Sequence, residues 1–76
     1  MTVELHAHGW LQGDGRFYDV ALRGRAIGVV GRWANERRWW WQHAKDSART
    51  PRTGTTRTRH GAVQALVLNH HRAAAP

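Results

Sequence analysis

The sequence predicts a small α+β domain, an antiparallel β-meander of three or four strands packed against one C-terminal α-helix. Three observations lead there. Apolar and polar residues alternate with period two through much of the first 43 positions, and segments holding Gly, Asp or Asn punctuate that pattern. The only sustained apolar stretch with helical spacing, Ala62 to Leu68, follows afterwards. Period two is the spacing of a half-buried strand, and a wide apolar stripe is that of a helix lying on a core. Seventy-six residues suffice for one hydrophobic core, so positions 1–76 read as a single domain.

Val3, Leu5 and Ala7 alternate with Glu4, His6 and His8 as a first short strand that can run on to Trp10 and Leu11. Gln12-Gly13-Asp14-Gly15 supplies residues tolerant of positive φ and suits a hairpin loop. Phe17 to Leu22 is the next strand, with Tyr18, Val20 and Leu22 on one face. Arg23-Gly24-Arg25 turns the chain into a strand over Ala26 to Trp33, with Ile27 and Val29 on one face. Ala34 to Arg37 turns it again, and Arg38-Trp39-Trp40-Trp41-Gln42-His43 is a further, aromatic strand.

From Ala44 the alternation stops, and residues 44–57 read as a basic loop or mobile arm rich in Ser, Thr and Arg. Thr58 can cap a helix from Arg59 to about His70, where Ala62, Val63, Ala65, Leu66, Val67 and Leu68 give the apolar face. His70, His71 and Arg72 suit the negative end of its dipole, and residues 73–76 read as a frayed tail.

Alternation also assigns faces. Burying Trp40 would bury its neighbours in parity, Arg38 and Gln42, and an unpaired buried charge costs several kcal/mol. Trp39 and Trp41 are therefore expected in the core and Trp40 outside. The small Ala62 and Ala65 leave room for two indoles beneath the helix. The same parity expects Tyr18, Val20, Leu22, Ile27, Val29 and Trp33 inside. It expects Asp19, Ala21, Gly28, Val30, Arg23, Arg32, Arg38, Trp40 and Gln42 on the outer face.

Composition bears on function. Twelve Lys and Arg against five Asp and Glu give a net charge of +7, in a chain apolar enough to fold. A folded cationic domain favours polyanions, although eleven Arg to one Lys is also what a GC-rich genome produces. On the outer face, guanidinium groups can bond phosphate or guanine, Trp40 can stack, and the Gln42 amide can pair with adenine. Lys45, Arg49, Arg52, Arg57 and Arg59 form the densest positive stretch, with no acid after Asp46, and suit phosphate contacts. The nucleic-acid-binding set is thus Arg23, Arg32, Arg38, Trp40, Gln42, Lys45, Arg49, Arg52, Arg57 and Arg59.

Other chemistries have little to stand on. With no cysteine, thiol catalysis, Cys-containing zinc sites and disulfides are excluded. The six histidines lack a metal-ligand spacing, so no metal or other cofactor is expected. Five scattered carboxylates form no nucleophile, base and acid constellation, so the chain reads as a non-enzyme. The start MTVELHAH lacks the basic and apolar regions of a secretory signal, and no segment approaches the ~20 apolar residues of a membrane span. A cytoplasmic protein with no membrane contact is expected.

The run Gly54-Thr55-Thr56-Arg57-Thr58-Arg59-His60-Gly61-Ala62-Val63-Gln64-Ala65 resembles the opening of the helix in AP2-type DNA-binding domains, and Gly31-Arg32-Trp33 with Glu36 and Arg38 resembles their Gly-Arg-Trp segment. The resemblance, which extends to the arm-binding domains of phage integrases, implies a three-stranded sheet laid in the DNA major groove and braced by one helix. Arg32, Trp33 and Arg38 would then be sheet residues near DNA. The helix from Thr58 to Leu66 also resembles the last helix of double-stranded RNA-binding domains. Together these readings favour a nucleic-acid-binding accessory or regulatory protein, with DNA ahead of RNA and a phage or mobile element as a fitting source. The alternative is a module that binds an acidic protein through the same surface, and pairing of an edge strand would give a homodimer.

Overall fold

The computed structural model describes residues 3–7 and 15–74. Five strands, β1 (Val3–Ala7), β2 (Gly15–Leu22), β3 (Arg25–Trp33), β4 (Trp39–His43) and β5 (Thr53–Thr56), precede one helix, α1 (Arg59–Ala74). The strands lie in sequence order in one antiparallel sheet. The α+β class and the meander with a C-terminal helix are as the sequence predicts, but among the described residues the strands number five.

The fifth strand comes from within the segment read as a loop. Thr53-Gly54-Thr55-Thr56 has no large apolar residue for a period test to detect. Its threonines are β-branched, and Gly54 admits the indole of Trp41 from the paired position on β4; a Cβ there would come within 2.8 Å of that ring. The rest of the segment is folded on itself through Asp46, which accepts hydrogen bonds from the Gln42 amide and the Arg52 backbone, and through Ser47, which accepts one from the Thr50 backbone.

β2 and β3 join through the two-residue turn Arg23-Gly24, with φ of 54° and 77°. Positive φ at both positions gives a turn twisted in the sense of the strands, at some cost for an arginine in the left-handed region. A β-bulge follows. Ala21 pairs with Ala26 and Val20 with Gly28, so Ile27 is an extra residue in β3. Ile27 is buried, as expected, but each later residue of β3 is turned to the opposite face from the one simple alternation assigns.

Gly28 and Val30 therefore face the helix, while Val29 lies on the outer side. A Cβ at Gly28 would meet the Leu66 side chain at 2.8 Å, and Val30 is wholly buried. Arg32 is on the helix side, its guanidinium 5.9 Å from the centre of the Trp39 ring. Trp33 is outside, edge-on to Phe17 at 4.9 Å.

The core consists of Val20, Ile27, Val30, Ala62 and Leu66, with Tyr18, Leu22, Trp39, Trp41, Val63 and Val67 packed around it. Trp39 and Trp41 thus face the core as expected. α1 lies across β3, β4 and β5. Thr58 caps it, its Oγ1 accepting from the Gly61 N–H at 2.9 Å and its carbonyl from the Ala62 N–H at 3.0 Å. The helix continues past the expected end at His70 to Ala74, where His71 and Arg72 match the dipole and alanines favour the helical backbone. The expected extension of the first strand to Trp10, most of the 12–15 hairpin loop, and the last two residues of the expected tail lie outside the described residues. Among the described residues, no helix is long and apolar enough to cross a membrane.

Candidate nucleic-acid interface

Antiparallel order brings the start of β2, the end of β3, the start of β4, the end of β5 and the start of α1 to one end of the molecule. Arg16, Arg32, Arg37, Arg38, Arg57 and Arg59 belong to this end, and Glu36 is its one carboxylate among the described residues. Five aromatic residues stand among these arginines, in two groups.

On the outer face, Phe17 lies edge-on to Trp33 at 4.9 Å and to Trp40 at 5.0 Å. Gly31, between them on β3, makes this possible, since a Cβ there would come within 2.5 Å of the Trp40 ring and 2.7 Å of Phe17. Trp33 is 43% exposed and offers a ring to solvent. Beside this cluster Arg38 donates from Nε to Thr55 Oγ1 at 3.0 Å and from Nη2 to the Thr55 carbonyl at 3.3 Å. Two bonds to β5 fix the direction of its guanidinium at the sheet surface.

On the helix side, Arg32, Trp39, Tyr18 and Arg59 form a ladder. The Arg32 guanidinium is 5.9 Å from the Trp39 ring centre, Trp39 is 6.3 Å from Tyr18, and the Arg59 guanidinium is 5.0 Å from Tyr18. Each cation lies over an electron-rich face, an attraction of about 0.5–1 kcal/mol at exposed sites. Arg32 also donates to the Glu36 carbonyl at 2.9 Å.

The ten residues expected from sequence do not form one face. Arg38, Trp40 and Gln42 share the outer face, as alternation predicts. The Gln42 amide, however, donates to Asp46 Oδ2 at 3.0 Å, which places a carboxylate where an adenine edge was expected. Arg32 and Arg59 lie on the helix side, and Arg57 connects β5 to α1. Arg23 occupies the β2–β3 turn and Lys45, Arg49 and Arg52 the 44–52 loop, at the opposite end of the sheet. Sequence reasoning missed Tyr18 and Trp39 as partners of Arg59 and Arg32, and Phe17 as a neighbour of Trp33 and Trp40; Trp33 itself was named through the AP2-type resemblance, while alternation put it inside. Parity counting had the signal for Phe17, which alternates with Tyr18; Trp33 was hidden by the bulge.

The opposite end has different chemistry. His43, 4% exposed, accepts at Nδ1 from the Lys45 backbone N–H at 3.0 Å, and its Nε2 lies 3.1 Å from His70 Nδ1. A backbone N–H can only donate, so the His43 proton resides on Nε2 and is donated to His70. Burial first, then the His70, Arg52 and Lys45 charges, hold the His43 imidazole below its ordinary pKa. Among the described residues no three metal-ligating side chains converge. No protein-family model, curated protein or solved structure matches the chain.

Proposed function

We propose that the protein binds nucleic acid, DNA in preference to RNA, as a non-enzymatic accessory or regulatory domain that uses the arginine and aromatic end of the sheet. The observation that carries this reading is the gathering of six arginines around two aromatic clusters with, among the described residues, one carboxylate beside them. Arginines at this density repel one another in the free protein, and a phosphate backbone relieves that repulsion while releasing its counterions. Trp33 adds a stacking surface and Arg38 a guanidinium held in a fixed direction.

Titration with duplex DNA, single-stranded DNA and duplex RNA at several salt concentrations tests the proposal. Neutralising about five phosphates gives a log–log salt slope of about −4 to −5 for the duplex. Duplex DNA should bind more tightly than duplex RNA. Absence of binding to all three at low salt overturns the proposal and leaves the acidic protein partner as the reading of the same surface, since Trp and Arg also dominate protein hot spots.

A further inference from the structure

α1 covers only part of the sheet. A five-stranded sheet is about 19 Å wide at ~4.8 Å per strand, and a helix with its side chains is about 10 Å across. With α1 across β3, β4 and β5, the same face of β1 is left open among the described residues. Val3 and Leu5 pair with Leu22 and Val20 and so share the core-facing side of the sheet, yet they are 37% and 38% exposed. They form the floor of a groove of about 820 Å³ whose wall is Val63, Val67 and Leu68 of α1. Leu68, 52% exposed, is the most exposed large apolar side chain among the described residues.

The width of the opening specifies what fits. From β4, beneath α1, to β2 is two strand spacings, about 9.6 Å, and packed helices lie about 8–10 Å apart. A second helix laid beside α1 would complete the second layer over β1 and β2. The charges specify its character. Arg59 stands at one end of the groove as a permanent cation, and α1 contains no acidic residue to offset it. Glu4, the one carboxylate of β1, alternates onto the outer side, beside His6. A second copy would offer only another α1, without acids and on a chain of +7, against like charges.

We propose that this groove docks an acidic amphipathic helix of a partner protein, alongside α1, with its apolar stripe on Val3, Leu5, Val63, Val67 and Leu68. The surface is on the helix side of the sheet, apart from the outer-face aromatic cluster, and shares only Arg59 with the arginines assigned to nucleic acid. The test uses the whole chain and a labelled peptide of about 16 residues, the length of α1, with leucines at helical spacing and glutamates flanking them. This peptide should bind, and Leu68→Lys and Leu5→Lys, on two different elements, should each weaken it at least about tenfold. Amide shift changes in the unmodified protein should concentrate in β1 and α1. Scrambling the leucines at constant composition should abolish the site-specific shifts, and replacing glutamate by lysine should weaken binding.

Equal binding of the scrambled peptide overturns the proposal in favour of plain charge attraction. Shifts confined to the outer face overturn it too, as does dimerisation by sedimentation that is lost in Leu68→Lys while no peptide binds. DNA affinity should be unchanged in Leu68→Ser, which opens the groove to water without adding charge, so failure here and failure of nucleic-acid binding are separate results.

Discussion

Where β2 begins and α1 starts, the basic groups are arginines, exposed or half-exposed, set against aromatic rings and unable to lose their charge. Where β4 ends and the later turns of α1 pass, the basic group nearest the core is His43, buried, neutral and held by two hydrogen bonds. The first end keeps permanent charge outside, where it is available to a ligand. The second uses a group that can discard its charge, which allows it to join the sheet to the helix from inside. Residues counted alike as basic thus do opposite things, and a net charge says little until the strands have sorted its carriers.

Both ends depend on one small core, so the comparison requires that core mutations affect them together. Leu66 is fully buried and rests where Gly28 has no side chain. Leu66→Ala should destabilise the whole domain by about 2–5 kcal/mol, read from the urea midpoint. Trp41→Ala should cost about 3–5 kcal/mol for similar reasons. If His43 fluctuates independently, with its amide exchanging before the Trp40 amide loses protection in Leu66→Ala, the two ends are separate folding units and the comparison must be redrawn.

Much of this was legible in the sequence because alternation is a local rule. It places Trp39, Trp41, Val20 and Ile27 inward, and the cap at Thr58 is a local signature as well. The failures in β3 share one cause. A single extra residue at Ile27 exchanges the faces of Gly28, Val29, Val30, Arg32 and Trp33, and nothing within β3 announces it, because it is a property of the pairing with Val20 and Ala21. β5 was missed because its partner supplies its bulk, Trp41 covering Gly54. The ladder from Arg32 to Arg59 joins four segments, so only the tertiary arrangement reveals it.

A binding experiment sharpens the arginine end. Trp33 is 43% exposed but packs edge-on against Phe17, so Trp33→Ala should cost about 1–2 kcal/mol, less than Trp41→Ala. If its ring stacks on a base, affinity for single-stranded DNA should fall by about 1–3 kcal/mol. Replacing Arg49 and Lys45, at the other end of the sheet, should have a smaller effect on the same titration. Equal losses from both replacements would mean that the ligand wraps the whole domain, and the distinction between the ends would then have no functional content.

The smallest expected effect probes the histidine end alone. Protonating His43 puts a hydrogen on Nδ1, where the Lys45 N–H already points, and places a buried cation near Arg52, Lys45 and His70. The folded protein therefore binds this proton less readily than the unfolded chain, whose imidazole titrates at about 6.5. Where the unfolded state holds more protons, stability rises with pH. The contribution of His43 is thus fully present above about pH 6.5 and is lost as pH falls from there through the lowered folded value. Urea midpoints measured from about pH 8 to pH 5 should fall more steeply for the parent protein than for His43→Gln, which has no proton to gain there. Because both proteins carry the same other histidines, the difference between the two curves reports His43 together with its hydrogen bond to His70. Parallel curves would show that His43 is no more costly to charge inside the fold than outside it, and the contrast between discardable and permanent charge would fail at its simplest point.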